Sequence, residues 1–183
     1  MNTIDDHLKV LEEFKQKSLK NLDFICALIS KHLNKGNGIY VFGNGGSAAE
    51  AQHFTGELLG RFENNKRKAL RAFCLNTDNA AITAIANDYS YDKIFKRQIE
   101  GLVHPGDILF GISTSAKSKN VLDGMEHGKE IGTMNILLTG QNSEKLDSIV
   151  DHKILVPSTS TAIIQEIHLV IIHHICRYLD KEF

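Results

Sequence analysis

Five short apolar runs, each bounded by Gly, Pro, Asp or Ser, recur along this chain with helical segments between them, and this alternation restricts the fold more than any other feature. They are "IYVF" at 39–42, "ALRAFC" at 69–74, "DILFGI" at 107–112, "MNILLT" at 134–139 and "HKILV" at 152–156. Each is short for a helix and rich in Ile, Leu, Val or Phe, as strands buried on both faces are. Helical spacing recurs near 47–60, 78–88, 91–103 and 118–131, and a last helix runs from about Thr161 to Asp180. Strands that alternate with helices predict an α/β fold, a mostly parallel five-stranded sheet covered on both faces. Ahead of them, Ile4, Leu8, Leu11, Phe14, Leu19, Leu22, Ile25, Ile29 and Leu33 mark one long amphipathic helix or two, ended by "NKGNG" at 34–38.

The bulk numbers exclude several classes. A chain of 183 residues with 42% hydrophobic content suits one domain over 1–183 with a sizeable core. Lys plus Arg number 21 against 22 Asp plus Glu, a net charge of -1, so no global field draws nucleic acid or an anionic membrane. Cys26, Cys74 and Cys176 are widely spaced, form no CxxC pair and read as reduced core residues. The first residues, "MNTIDDHLKVLEEFKQ", form neither a signal core nor a transit pattern, and no run is long enough to span a membrane, so the expected location is the cytoplasm. "KRK" at 66–68 reads as a solvated loop.

In an open parallel sheet, ligands sit outside the carboxyl ends of the strands, where strand order reverses. "GNGGS" follows the first strand and "STSAKS" the third, so both polar loops fall on that edge. Gly43, Gly45 and Gly46 let backbone amides approach an anion, and the helix behind them points its positive end the same way. Ser113, Thr114, Ser115 and Ser118 crowd four hydroxyls into six positions at a strand-to-helix junction, more than one helix cap requires. The expected ligand is a phosphate. "GNGGS" lacks both the spacing of a dinucleotide fingerprint and the Lys of a Walker loop.

His53 and Glu57, at i and i+4 of the following helix, offer one imidazole and one carboxylate to a single cation or proton-transfer site. The last helix, "TAIIQEIHLVIIHHICRYLD", adds Gln165, Glu166, His168, His173 and His174. Ile and Leu surround these polar residues almost all the way round, which predicts burial on most sides, between subunits as well as within one. A buried His or Gln there needs a partner. His7, His32, His104, His127 and His152 are assigned to surface or core roles.

"GNGGSAAEAQHFTGEL", "AITAIANDY", "GISTS", "SKNV" and "IQEIH" followed by "IIHHIC" together closely resemble the phosphoheptose isomerases, enzymes of the sugar-isomerase (SIS) fold. The resemblance spans the chain from the first helix to about Asp180. It implies a three-layer α/β/α sandwich of flavodoxin-like type, with an N-terminal helical segment over 1–35 and the C-terminal helix packing in the oligomer. It also implies conversion of sedoheptulose 7-phosphate to D-glycero-D-manno-heptose 7-phosphate, the first step toward bacterial heptose nucleotides for lipopolysaccharide or capsule. One zinc per subunit and a homotetramer are implied too. Carried over by motif, the zinc ligands are His53, Glu57, Gln165 and His173. Substrate contacts are Asn44, Gly45, Gly46, Glu57, Asn87, Asp88, Ser113, Thr114, Ser115, Ser118 and Gln165, and Glu57 and His173 form the acid-base pair.

Two places depart from the family pattern and bear on affinity and substrate choice. Ala116 and Lys117 stand where the family loop usually has Gly and Asn, and Ile163 where Arg commonly precedes "IQE". An aldose-ketose interconversion needs one group for the carbon-bound proton, another for the oxygens, and support for developing negative charge. Glu57 is the expected base, His173 the oxygen-side partner and zinc the Lewis acid. Gln165 and His173 lie eight residues apart, a rise of about 12 Å and a rotation of about 80° on a helix. Ligands that far apart must reach along the helix or come from different chains, so the site is expected at a subunit interface. The rival expectations are a noncatalytic module of this fold that binds the replication initiator, or an isomerase of a different phosphosugar. The initiator-binding relatives lack the second histidine of the last helix, so His173 favours the enzyme.

Overall fold

The structure, a computed structural model, describes residues 3–141 and 146–183. It opens with a single helix, α1 (Thr3–Asn34), after which Gly36 turns the chain with a φ of 88°. The chain then alternates as the sequence predicts: β1 (Ile39–Gly43), α2 (Gly46–Leu59), β2 (Ala72–Cys74), α3 (Asn79–Asp88), α4 (Ile94–Leu102), β3 (Ile108–Ser113), α5 (Lys119–Ile131), β4 (Met134–Gly140), β5 (His152–Val156) and α6 (Thr161–Glu182). Two boundaries differ from expectation. The second strand starts only at Ala72, because Leu70 N–H donates to Leu58 O at the end of α2 (3.0 Å) instead of joining the ladder. The helix expected from 91 begins as one 3-10 turn, Tyr91–Lys93, before α4.

All strands are parallel, in the order β2-β1-β3-β4-β5. The order reverses between β1 and β3, whose register pairs Gly43 with Ile112. The loops that leave these two strands therefore flank the switch point.

Strand side chains alternate between two cores. Ile39, Val41, Ile108, Phe110, Ile136 and Leu138 face a core shared with α1, α2 and α6. Tyr40, Phe42, Leu109 and Leu137 face one shared with α4 and α5, on which Ile82 and Ile85 of α3 also pack. Each fully buried aliphatic or aromatic side chain contributes about 1.5–3 kcal/mol. Ile163 packs against the first core, which accounts for an apolar residue at that position. Cys26 and Cys176 lie inside the same core as free thiols, their pKa pushed up to about 12 chiefly by burial. No helix among the described residues is long and apolar enough to cross a membrane.

Candidate active site

At the switch point two helices begin without a side-chain cap. Gly45 precedes α2 with a φ of 57°, a left-handed conformation that glycine adopts without strain, and no side chain bonds the first amides of the helix. Ser118 precedes α5 and likewise makes no capping bond. Its hydroxyl lies 3.1 Å from that of Ser113. Ser47 and Ala48 N–H donate back to the carbonyls of Asn44 and Gly45 at 3.0 Å, so the cradle for an anion rests on the positive ends of the two helices and on the hydroxyls that face the same edge. Ser115 and Thr114 border it: Ser115 Oγ accepts from Lys117 N–H at 3.3 Å, and Thr114 O accepts from Gly140 N–H at 3.1 Å. Ala116 takes a φ of 54° in the middle of this loop, the conformation that explains why glycine suits the position better. Asn87 and Asp88 sit exposed at the end of α3, bonded to each other at 2.9 Å.

A seam between α2 and α6 holds the remaining candidates. The two helices run parallel, so their residues meet in rungs. At the first rung a Cβ on Gly46 would stand 2.2 Å from Gln165 Nε2, so only glycine lets that amide lie against the turn. At the second, Glu50 Oε2 lies 3.3 Å from His168 Nδ1, with His168 wholly buried. At the third, His53 Nε2 and His173 Nε2 are 2.9 Å apart, and Glu57 Oε1 is 3.6 Å from His53 Nε2. Burial, and then the neighbouring His53, hold the His173 imidazole below its ordinary range, against the pull of Glu57.

The structure thus brings His53, Glu57 and His173 together and sets Gln165 at the other end of the seam. Two imidazoles and a carboxylate are donors of the kind zinc takes. Two donors tetrahedrally bound at 2.0–2.1 Å stand about 3.3 Å apart, close to both spacings seen here. The donors face one another at hydrogen-bond range rather than around a common centre, so among the described residues no three His, Cys, Asp or Glu side chains form a ready-made metal cage.

Sequence reasoning missed several residues that hold this arrangement. Asn76 clamps the end of β1, accepting from Gly43 N–H (3.2 Å) and donating to Gly43 O (2.9 Å). Asn120 pairs with the Asn44 side chain, and Tyr91 bonds it from outside. Glu50 is the partner that a buried His168 required. The "KRK" loop is not fully solvated, because Arg67 is buried with an exposure of 6%. It pairs with Asp180 of α6 at 2.7 Å and donates to the carbonyls of Glu57 (2.6 Å) and Leu58 (2.9 Å) at the end of α2. Turn composition could have flagged Asn76, in "NTDN", whereas nothing local marks Arg67. Of the other late histidines, His174 pairs with Asp23 at 2.9 Å, and Glu166 lies against His7.

Comparison with known proteins agrees with this geometry. The SIS domain model matches residues 4–140. A Thermoplasma acidophilum protein named "Probable phosphoheptose isomerase" is 47% identical over 97% of this chain and 100% of its own length. The phosphoheptose isomerase of Campylobacter jejuni is 42% identical over 97% of this chain and 95% of its own. Among solved structures, the phosphoheptose isomerase GmhA from Neisseria gonorrhoeae superposes with a TM-score of 0.91 at 35% identity, covering 98% of this chain and 95% of that one. With its switch-point cradle, its paired histidines and these relatives along nearly its whole length, the chain belongs to the phosphoheptose isomerases of the SIS domain family.

Proposed function

We propose that this chain, an aldose-ketose isomerase by family, converts sedoheptulose 7-phosphate to D-glycero-D-manno-heptose 7-phosphate. The observation that carries this reading is the convergence of His53, Glu57 and His173 from two helices, the histidines 120 residues apart in sequence. Glu57 is the base that takes the proton from one of carbons 1 and 2 and returns it to the other. His173, held neutral near pH 7 by its lowered pKa, accepts and donates the proton that moves between the two oxygens. Ser113, Thr114, Ser115 and Ser118, with the amides of Gly45 and Gly46, hold the phosphate, and Asn44, Asn87, Asp88 and Gln165 address the sugar. Zinc, held by His53, Glu57, His173 and Gln165, would supply Lewis-acid polarisation of the carbonyl.

One chain cannot close this set alone. Gln165 sits against Gly46, and a helical rise of about 12 Å separates it from His173. We assign the imidazole end of one chain to the phosphate end of another, in a homotetramer whose sites lie between subunits. An apolar groove of about 310 Å³ between α1 and α6, lined by Leu11, Phe14, Leu19 and Val170, supports such assembly, as does the exposure of Leu8 (60%) and Val170 (49%).

The test is NMR of the purified protein with sedoheptulose 7-phosphate, with and without chelator. Heptose should form, and a His173→Ala variant should lose about 10²–10⁴-fold in turnover. Mixed tetramers of His173→Ala and Gln165→Ala chains should regain activity that neither has alone. A metal-loaded, folded tetramer without turnover would refute the substrate, and failure of the mixture to recover would refute the shared site.

A further inference from the structure

The side-chain amides of asparagines are ambiguous in orientation because nitrogen and oxygen are alike in size. At Asn44 a backbone group resolves the ambiguity. Val121 N–H, which can only donate, lies 2.9 Å from Asn120 Oδ1, so that atom is the oxygen. Asn120 Nδ2 is then the donor to Asn44 Oδ1 at 2.9 Å, and Asn44 Nδ2 donates back to Asn120 Oδ1 at 2.8 Å. The Tyr91 hydroxyl donates to Asn44 Oδ1 as well, at 2.9 Å. Both lone pairs of Asn44 Oδ1 are thereby used, while Nδ2 keeps one hydrogen beyond the pair.

We infer that Asn120 and Tyr91 are positioning residues that make Asn44 an obligatory donor to the ligand. The inference deepens the proposed function and rests on it for the identity of the ligand. Asn120, buried to an exposure of 2% at the start of α5, ties the turn after β1 to the loop after β3. Tyr91, 55% exposed between α3 and α4, closes the second lone pair from the solvent side. With it in place, Asn44 accepts no proton from a ligand and can serve only acceptor atoms, a phosphate or carbonyl oxygen or a hydroxyl lone pair. Without it, Asn44 Oδ1 can also accept from a hydroxyl, and the turn loses discrimination between donor and acceptor groups.

Tyr91→Phe removes the hydroxyl and keeps the ring. The inference expects KM for sedoheptulose 7-phosphate to rise about 3–10-fold, with kcat within about twofold and an unchanged melting temperature, as for loss of one hydrogen bond that orients a binding group. Asn120→Asp, which cannot donate to Asn44, should raise KM in the same way. In an Asn44→Ala background, Tyr91→Phe should have no further effect. A Tyr91→Phe enzyme with the KM of wild type, or one whose effect persists in full without the Asn44 side chain, overturns the inference. If wild type does not turn the heptulose over, the proposed substrate fails separately, and the same cycle is run by calorimetry with inorganic phosphate. There, a Tyr91→Phe effect that vanishes in Asn44→Ala sustains the inference; no such coupling, or no binding by wild type, overturns it.

Discussion

On one face of the sheet, α2 and α6 meet through charged and polar side chains: Glu50 with His168, His53 with His173, and Asp180 of α6 with Arg67 of the loop that follows α2. On the other, α4 and α5 meet through carbon, with Ile99 and Phe95 of α4 resting on Gly124 of α5. The first face even leaves Glu50 Oε1 and His168 Nε2 buried without a hydrogen-bond partner, at a cost of about 1–3 kcal/mol for each such atom. The second fills its space so tightly that a Cβ on Gly128 would meet Leu109 Cδ1 at 2.2 Å. The faces thus differ in how they treat polarity: one buries paired titratable groups in a geometry that burial alone would not choose, and the other packs mainly through carbon. Its buried Gln98 and Asn135 side chains are neutral amides bonded to backbone carbonyls.

That division can be broken most severely at Arg67. Arg67→Ala leaves Asp180 buried without its cation and strips the last carbonyls of α2 of their donor, an expected loss of about 3–5 kcal/mol in urea unfolding at fixed protein concentration. The same pair sets the acid limb. Burial raises the Asp180 carboxyl, but the amides of Asn64 and Glu63 and the Arg67 guanidinium outweigh it and hold it below the usual range. A carboxyl depressed in the folded state stabilises fully above its unfolded pKa, so that stability should disappear as pH falls below about 4. Asp180→Asn should flatten this limb in a series of melts from pH 6 to pH 2.

Next in size are two substitutions that set the faces against each other. His168→Leu should lower stability by about 1–3 kcal/mol because Glu50 keeps no partner, whereas the double change with Glu50→Leu should recover most of that loss. Gly128→Ala on the opposite face should also lose about 1–3 kcal/mol by overpacking, with KM for substrate unchanged. If the double variant stayed as unstable as His168→Leu, the polar seam would not be the weaker packing solution. The smallest effect carries the opposite sign. Ala116→Gly should stabilise by about 1 kcal/mol, read as a higher urea midpoint, since it relieves a left-handed backbone at a residue with a Cβ.

The sheet was legible because strand burial and helix spacing are local signals, and all five predicted strands and their helices stand within a few residues of expectation. His53 and Glu57 stood out by their i, i+4 spacing, whereas His173 was singled out only through the family resemblance; the structure brings the three side chains together. The spacing of Gln165 and His173, read as helical rise, set them about 12 Å apart along one helix, and the seam with α2 that they share came only with the structure. What stayed hidden depends on partners far along the chain: Arg67 finds Asp180 113 residues later, and Asn44 finds Asn120 76 residues later. A Lys-Arg-Lys run looks solvated until the helix that buries its middle residue is in place.

The seam also has a bearing on the order in which the protein is made. Synthesis delivers α2 and both glycine and serine turns before β5, whereas His168, His173 and Asp180 all arrive on α6. A nascent chain that has released every strand owns both turns but no paired imidazoles, and Glu50 still lacks His168 and Arg67 still lacks Asp180. The same late helix fills the core under α1 and α2 with Ile167, Ile171 and Ile175. Completion of that core and the pairing of His53 with His173 therefore both wait for the same helix.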